Sequence, residues 1–214
     1  MKLYTYPPAP SPRRVHLFLA EKQVELPQEV IDLRAGEHFA EAYRAINPLC
    51  TVPALVLDDG TVLTQLPAIH EFLEAQFPDP PMLGRDARER GVVREWSHRV
   101  YVEGLMAVAE ILRNDNPAYA HRALPGPLDL EQIPALAERG RRRLAEFYSV
   151  LDRRLGESEF LAGSAYSVAD SDALVVCDFA RVVRMRPAEE LDHLQRWLKA
   201  VNGRRSVQAC RIEA

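Results

Sequence analysis

The chain has 214 residues, 47% of them hydrophobic and 27% charged, which is the composition of an ordinary globular protein with a substantial core. Its formal net charge of −4 argues against nucleic acid as a partner, because a nucleic-acid-binding surface is expected to be basic. No stretch approaches the roughly 18 apolar residues of a membrane span, so no membrane segment is predicted.

The cysteines and histidines bear on the cellular compartment and on whether the chain holds a metal site. The three cysteines are widely spaced, which predicts reduced thiols, and the first residues lack the apolar core of a signal peptide. Together these features predict a cytoplasmic protein. The six histidines show no ligand spacing with cysteines or carboxylates, so no metal site is predicted.

The first part of the chain alternates short strands and helices. A β-prone run at Leu3–Tyr6 predicts the first strand, and a helix follows, with Ser11 as its expected N-cap. Glu29–Leu33 is the predicted second strand. The spacing of the apolar residues at 39–46 then predicts a short helix.

A hairpin and a helix complete this part. Ala54–Leu57 and Thr61–Leu63 are the predicted strands, and Gly60 lies in the turn between them, where it tolerates a positive φ. Pro53 precedes the first of these strands, where its missing N–H costs no ladder bond. Apolar spacing then predicts a helix that begins at residues 66–67.

The element order predicts the architecture. A βαβ unit followed by a helix and a ββα unit is a thioredoxin-like sheet, which we assign to residues 1–77. A proline-rich linker at 78–87 follows, and 88–214 is predicted to be all-helical. The fold class is therefore α/β plus all-α. The predicted helices of the second domain span residues 92–112, 133–155, 173–183 and 191–201.

Some polar residues have structural explanations. Ser167 and Asp170 match a capping box at a helix start, so both are expected to be structural. Cys50 is expected to be a small buried thiol, although a redox role is an alternative. The arginines of 139–143 are flanked by acids and are predicted to lie on a solvated helix face.

Five segments carry a family resemblance: residues 13–22, 36–38, 47–63, 64–74 and 160–174. In this order along the chain, they resemble the soluble glutathione transferases over nearly the whole length. The resemblance implies the two-domain fold, a cis Pro53, glutathione as co-substrate along the N-terminal domain, a second substrate between the domains, and a homodimer.

The resemblance also implies glutathione-binding residues. Val52, beside Pro53, matches the residue whose backbone pairs with the cysteinyl part of glutathione. Gln65 and Leu66 match the pair that holds the γ-glutamyl end, but Leu66 lacks the usual hydroxyl. Losing one charge-assisted hydrogen bond costs about 1.5–3 kcal/mol.

At the opposite end of glutathione, His38 matches a position that reaches the glycyl carboxylate in some members of the family. The next residue is often lysine in the family and is Phe39 here.

The catalytic position differs from the family pattern. Where many members have Ser, Cys or Tyr, this chain has Ala9, as in a bacterial and fungal branch in which the first helix's N-terminus stabilises the thiolate. We hypothesise that Ser11, by hydroxyl or backbone N–H, activates the thiol, with added positive potential from Arg13 and Arg14. The alternative is that Ser11 only caps the helix.

Two classes of function follow from the resemblance. The first is an enzyme whose glutathione thiolate acts on a small, partly apolar electrophile or reduces a small disulfide or peroxide. His98 and Tyr101 are candidates for its second-substrate pocket. The alternative is a transferase-fold binding protein with little or no catalysis, and a glutathione-dependent isomerase would need a substrate screen to detect.

Overall fold

The structure, a computed structural model, describes residues 1–211. In chain order, the first half contains β1 (Lys2–Thr5), α1 (Pro10–Lys22), β2 (Gln28–Val30), a 3₁₀ turn (Glu37–Phe39), α2 (Glu41–Arg44), β3 (Ala54–Val56), β4 (Val62–Leu63) and α3 (Leu66–Gln76). The sheet order is β2-β1-β3-β4, with β1 parallel to β2 and antiparallel to β3, and β3 antiparallel to β4. The predicted thioredoxin-like sheet is confirmed.

The second strand is shorter than the predicted Glu29–Leu33. It ends at Val30, because the chain turns immediately afterwards around Asp32. The Asp32 carboxylate accepts hydrogen bonds from the backbone N–H groups of Arg34 (2.7 Å) and Ala35 (3.2 Å). This Asx turn competes with the hydrogen bonds of the strand ladder and replaces them at this position.

The second half is helical, as predicted. It contains α4 (Ala87–Arg99), a π-helical turn (Val100–Leu105), α5 (Met106–Asp115), a 3₁₀ turn (Pro117–Tyr119), α6 (Pro134–Glu157), α7 (Val168–Phe179), a 3₁₀ turn (Ala180–Val183), α8 (Asp192–Asn202) and α9 (Arg205–Ala209). None of the helices within residues 1–211 has both the length and the apolarity to cross a bilayer.

The π turn between α4 and α5 brings the backbone close to its neighbours. A Cβ atom at Gly104 would lie 2.6 Å from the ring of Phe147 and 3.0 Å from Val176, so only glycine fits without rearrangement. The apolar spacing at 92–112 predicts one helix and gives no sign of this turn. The turn matters because it carries Tyr101.

α7 is the most deeply buried helix, and Asp170 anchors its start. The Asp170 carboxylate accepts hydrogen bonds from the N–H groups of Ser167 (3.1 Å) and Leu161 (3.0 Å) and from the indole of Trp197 (3.0 Å). The predicted capping box is confirmed. Burial raises the pKa of Asp170 to about 6.

A buried ammonium group joins the sheet half to the segment that leads into the helical half. Lys22 Nζ donates to the backbone carbonyls of Phe77 (2.6 Å) and Pro80 (2.8 Å) and pairs with Glu74 (2.7 Å). Glu74 in turn accepts from the N–H of Leu83 (3.0 Å). The linker is therefore held against α1 and α3.

Candidate active site

The N-terminus of α1 starts earlier than the sequence predicts. Ala9, in extended conformation, occupies the N-cap position, and its carbonyl accepts the N–H of Arg13 at 3.1 Å. Pro10 takes the first helical position, which suits its fixed φ. Ser11 therefore lies inside the first turn, and the prediction that it is the N-cap is wrong.

Very few donors remain free at this helix end. Pro10 and Pro12 have no N–H, and the N–H of Arg13 is bonded. Within residues 1–211, the N–H of Ser11 has no hydrogen-bond partner. The Ser11 N–H and the Ser11 hydroxyl are thus the donors this turn offers a ligand.

The Ser11 hydroxyl is oriented by a buried arginine. Arg14 Nη2 donates to Ser11 Oγ at 3.1 Å, which leaves the hydroxyl proton free to be donated elsewhere. The half-exposed Tyr101, on the π turn, lies within electrostatic reach of the Arg14 guanidinium. His98, the other residue predicted for the second-substrate pocket, is exposed on α4.

Arg13 and Arg14 do not supply a free positive field, in contrast to the sequence expectation. Both are buried, and Arg13 pairs with Asp178 at 2.8 Å while Arg14 lies 3.7 Å from Asp172. Burial lowers the pKa of Arg14, and the carboxylate of Asp172 opposes that shift. Both arginine charges are therefore largely neutralised by acids of α7.

A second group of free backbone atoms lies at Val52, before the cis peptide bond to Pro53. Among residues 1–211, neither the N–H nor the C=O of Val52 has a hydrogen-bond partner. The preceding residue is fixed, because the carbonyl of Thr51 accepts from the Tyr43 hydroxyl (2.6 Å) and the Asn47 amide (2.7 Å). The edge at Val52 is therefore rigidly held and open for pairing.

Cys50 stands in the same turn. It adopts a left-handed backbone conformation with φ 53°, and its side chain is only 2% exposed. The expectation of a small buried thiol is confirmed.

The start of α3 offers backbone donors but no hydroxyl. Gln65 is its exposed N-cap residue, and the Leu66 side chain, 9% exposed, packs into the hydrophobic core. Pro67 has no N–H, and the N–H of Ile69 bonds to the Gln65 carbonyl at 3.1 Å. Within the described residues the N–H groups of Leu66 and Ala68 are unbonded, which suits an anion at this helix end.

His38 lies in the 3₁₀ turn after β2 and is only 5% exposed. In the described part of the chain, its Nδ1 atom has no hydrogen-bond partner. Burial lowers the pKa of His38, and the positive charges of Arg122 and Arg113 lower it further. Sequence reasoning missed both arginines, because they belong to the helical half and no motif marks them.

Comparison with known proteins shows the family to which the chain belongs. The family model "Glutathione S-transferase, N-terminal domain" matches residues 9–76, and "Glutathione S-transferase, C-terminal domain" matches 106–205. The chain is 32% identical over 213 residues to glutathione S-transferase 2 of Saccharomyces cerevisiae, covering 97% of this chain and 88% of the relative.

A solved structure and a second relative are also similar to this chain. A crystal structure of a glutathione S-transferase domain-containing protein from Marinobacter aquaeolei is 33% identical, with a TM-score of 0.88 and coverage of 97% of this chain and 100% of that one. Maleylacetoacetate isomerase of Pseudomonas aeruginosa is 35% identical over 171 residues, covering 64% of this chain and 80% of the relative. The chain belongs to the glutathione S-transferase family.

Proposed function

We propose that the protein binds glutathione and uses its thiolate on a small, partly apolar electrophile. The main support is the backbone edge of Val52 beside cis Pro53, which is rigidly held and has no hydrogen-bond partner among residues 1–211. Such an edge suits an extended peptide-like ligand, which pairs with it as a strand would. Bound glutathione would supply the thiol nucleophile.

The remaining groups fit the two ends of the tripeptide. The exposed Gln65 and the free N–H of Leu66 suit the γ-glutamyl end. Because the Leu66 side chain is buried in the core and carries no hydroxyl, we expect this end to be held more weakly, by about 1.5–3 kcal/mol, than in relatives with a side-chain donor. His38 is the proposed partner of the glycyl end.

Thiol activation falls to Ser11 in this proposal. A hydrogen bond that favours the thiolate lowers the thiol pKa, and a helix N-terminus acts in the same direction. The Ser11 hydroxyl is suited to this role because Arg14 occupies its oxygen and leaves its proton available. The second substrate would lie between the two halves, with Tyr101 close to it.

A glutathione-dependent isomerase is the second candidate, favoured by the likeness to the Pseudomonas maleylacetoacetate isomerase. A binding protein with weak or no catalysis is the alternative, because Ala9 and Leu66 replace the usual polar side chains. By family likeness we also propose a homodimer and a cytoplasmic location.

Calorimetric titration with glutathione tests the proposal. We expect saturable binding, which a Val52→Pro variant would lose because it cannot donate from that position. Absence of wild-type binding at millimolar glutathione would reject the proposal. Turnover with an activated aryl halide, compared with a maleyl-to-fumaryl isomerisation assay, separates the transferase from the isomerase, and binding without either activity supports the binding protein.

A further inference from the structure

Two arginines of the helical half lie beside the proposed glutathione site. Arg113 is near the end of α5, and Arg122 is in the long connection 116–133 between α5 and α6. The Arg122 guanidinium carbon lies 5.4 Å from the ring centroid of Phe39, the neighbour of His38. Both arginines also lower the pKa of His38, which places their charges within reach of that ring.

The connection 116–133 reaches the Val52 side of the site as well. A Cβ atom at Gly126 would lie 3.2 Å from the carbonyl oxygen of Leu49, so the loop touches the turn that leads to Val52. Gln132 donates to the carbonyls of Arg113 (2.7 Å) and Asn116 (2.8 Å), and these bonds fix the loop at its base. The loop thus borders the site from His38 to Leu49.

The two guanidinium groups are oriented by aromatic rings. Arg113 lies 5.0 Å from the ring centroid of Tyr119, and Arg122 lies 6.0 Å from the same ring. Arg113 Nη1 donates to the carbonyl of Arg122 at 2.8 Å, which joins the two residues directly. A guanidinium group placed over an aromatic ring keeps N–H donors at its edge for a planar anion.

In the described part of the chain, no acid pairs with either of these two cations. Within residues 1–211, neither Arg113 nor Arg122 forms an ion pair with an acid, and their mutual repulsion, after burial, lowers the pKa of Arg113. The acids near them in sequence have other neighbours. Glu110 pairs with Arg139 and Arg143, Asp115 pairs with Arg141, and Asp129 and Glu131 lie 3.1 and 3.5 Å from Nδ1 of His121.

We propose that Arg113 and Arg122 form a carboxylate-binding site at the domain boundary, beside His38 and Phe39, that serves a ligand of the active site. The chemistry fits because guanidinium groups bind carboxylates through paired hydrogen bonds, and two adjacent unpaired cations favour an anion between them. Arg122 also stands over Phe39, the position at which the family often has a lysine. The site thus supplies positive charge from the helical half.

This inference rests on the proposed function, and the carboxylate has two sources. It belongs either to the glycyl end of glutathione or to the second substrate. Calorimetry with glutathione and with its glycyl ethyl ester, in which the glycyl carboxylate is esterified and uncharged, addresses the first source. Steady-state kinetics with an activated aryl halide, with and without a carboxylate substituent, addresses the second.

Arg122→Met and Arg113→Met remove the charge while keeping most of the side-chain length. The matched control is Arg142→Met, which removes one charge from an exposed position of α6 (81% side-chain exposure). Thermal unfolding of all three variants checks that the fold is kept.

A carboxylate site predicts a selective loss. Either the affinity for glutathione falls about tenfold or more in both site variants while that for the glycyl ethyl ester is unchanged, or kcat/KM falls by that factor for the carboxylated electrophile alone. Equal effects on ligands with and without the carboxylate, or effects no larger than those of Arg142→Met, would overturn the site. Failure of the wild type to bind either thiol ligand would instead reject the proposed function, and this inference with it.

Discussion

At the scale of single residues, Ser11 carries the proposed thiol chemistry. The two prolines of the first turn remove donors that other helix N-termini offer, so the hydroxyl and one N–H stand alone. The sequence predicts that Ser11 lies at this helix start. It does not reveal that Pro10 begins the helix, because proline is equally acceptable in a loop and in a first turn.

Ser11→Ala should raise the thiol pKa of bound glutathione and lower kcat/KM by about ten- to a hundredfold, as expected for the loss of one charge-assisted hydrogen bond. Stopped-flow or steady-state turnover measures the effect. Ser149→Ala on α6 is the control, since among residues 1–211 the Ser149 hydroxyl bonds only to a helix carbonyl. Full turnover in Ser11→Ala would leave the backbone N–H as the activating group.

The buried His70 makes the stability of the fold depend on pH in the acid range. It stacks on Phe18 at 4.6 Å, and burial, followed by the charges of Arg14 and Arg94, lowers its pKa to about 3 from 6.5. In the unfolded chain, His70 therefore binds a proton below pH 6.5, whereas in the folded protein it does so only at about pH 3. The free energy of unfolding consequently falls as the pH falls through this window.

We expect His70→Phe, which keeps the stacked ring, to flatten this dependence by up to about 1.4 kcal/mol per pH unit. Urea unfolding at a series of pH values between 6.5 and 4 measures the slope. An unchanged slope would show that His70 is not the group responsible.

At the scale of elements, the spacing of apolar residues predicts where most helices of the second half lie. It does not predict where two helices approach each other closely. The predicted helix at 133–155 is observed as α6, Pro134–Glu157. Gly140 lies inside this helix, where propensity alone would favour alanine. A Cβ atom there would lie 2.8 Å from the carbonyl oxygen of Ala107, so the glycine permits α5 and α6 to pack closely.

Gly140→Ala should therefore destabilise the protein by about 1–3 kcal/mol in spite of the better helix propensity, because a backbone atom stands in the way. Gly91→Ala, in α4, is the matched change. Beyond the neighbouring residues and backbone of its own helix, nothing in residues 1–211 lies within 4 Å of the Cβ position, so this change should stabilise by about 0.5–1 kcal/mol. Denaturant midpoints of both variants give the comparison. Equal shifts would contradict the steric explanation.

At the scale of the whole molecule, contacts between the halves escape sequence reasoning. The fold class and the backbone edge at Val52 could be predicted from local sequence patterns and from the family resemblance. The contact between Arg122 and Phe39 could not be predicted, because the connection 116–133 has no periodicity that indicates its path. The neutralisation of Arg13 and Arg14 by α7 is a long-range contact of the same kind.

Lys22→Met should cost about 3–5 kcal/mol, because it leaves the Glu74 carboxylate buried without its partner and releases two linker carbonyls. Urea unfolding measures the loss, and Lys199→Met, at an exposed position on α8, is the control. A loss no greater than the control's would show that the buried pair does not hold the linker against α1 and α3.

The central claim is that the Ser11 end of α1 activates the thiol of glutathione without a side chain at Ala9. Titration of thiolate absorbance in the wild-type complex measures this directly. We predict a thiol pKa at or below about 7.5 in the complex, which Ser11→Ala raises. A bound thiol that still titrates near 8.5, as a free cysteine does, would contradict the account.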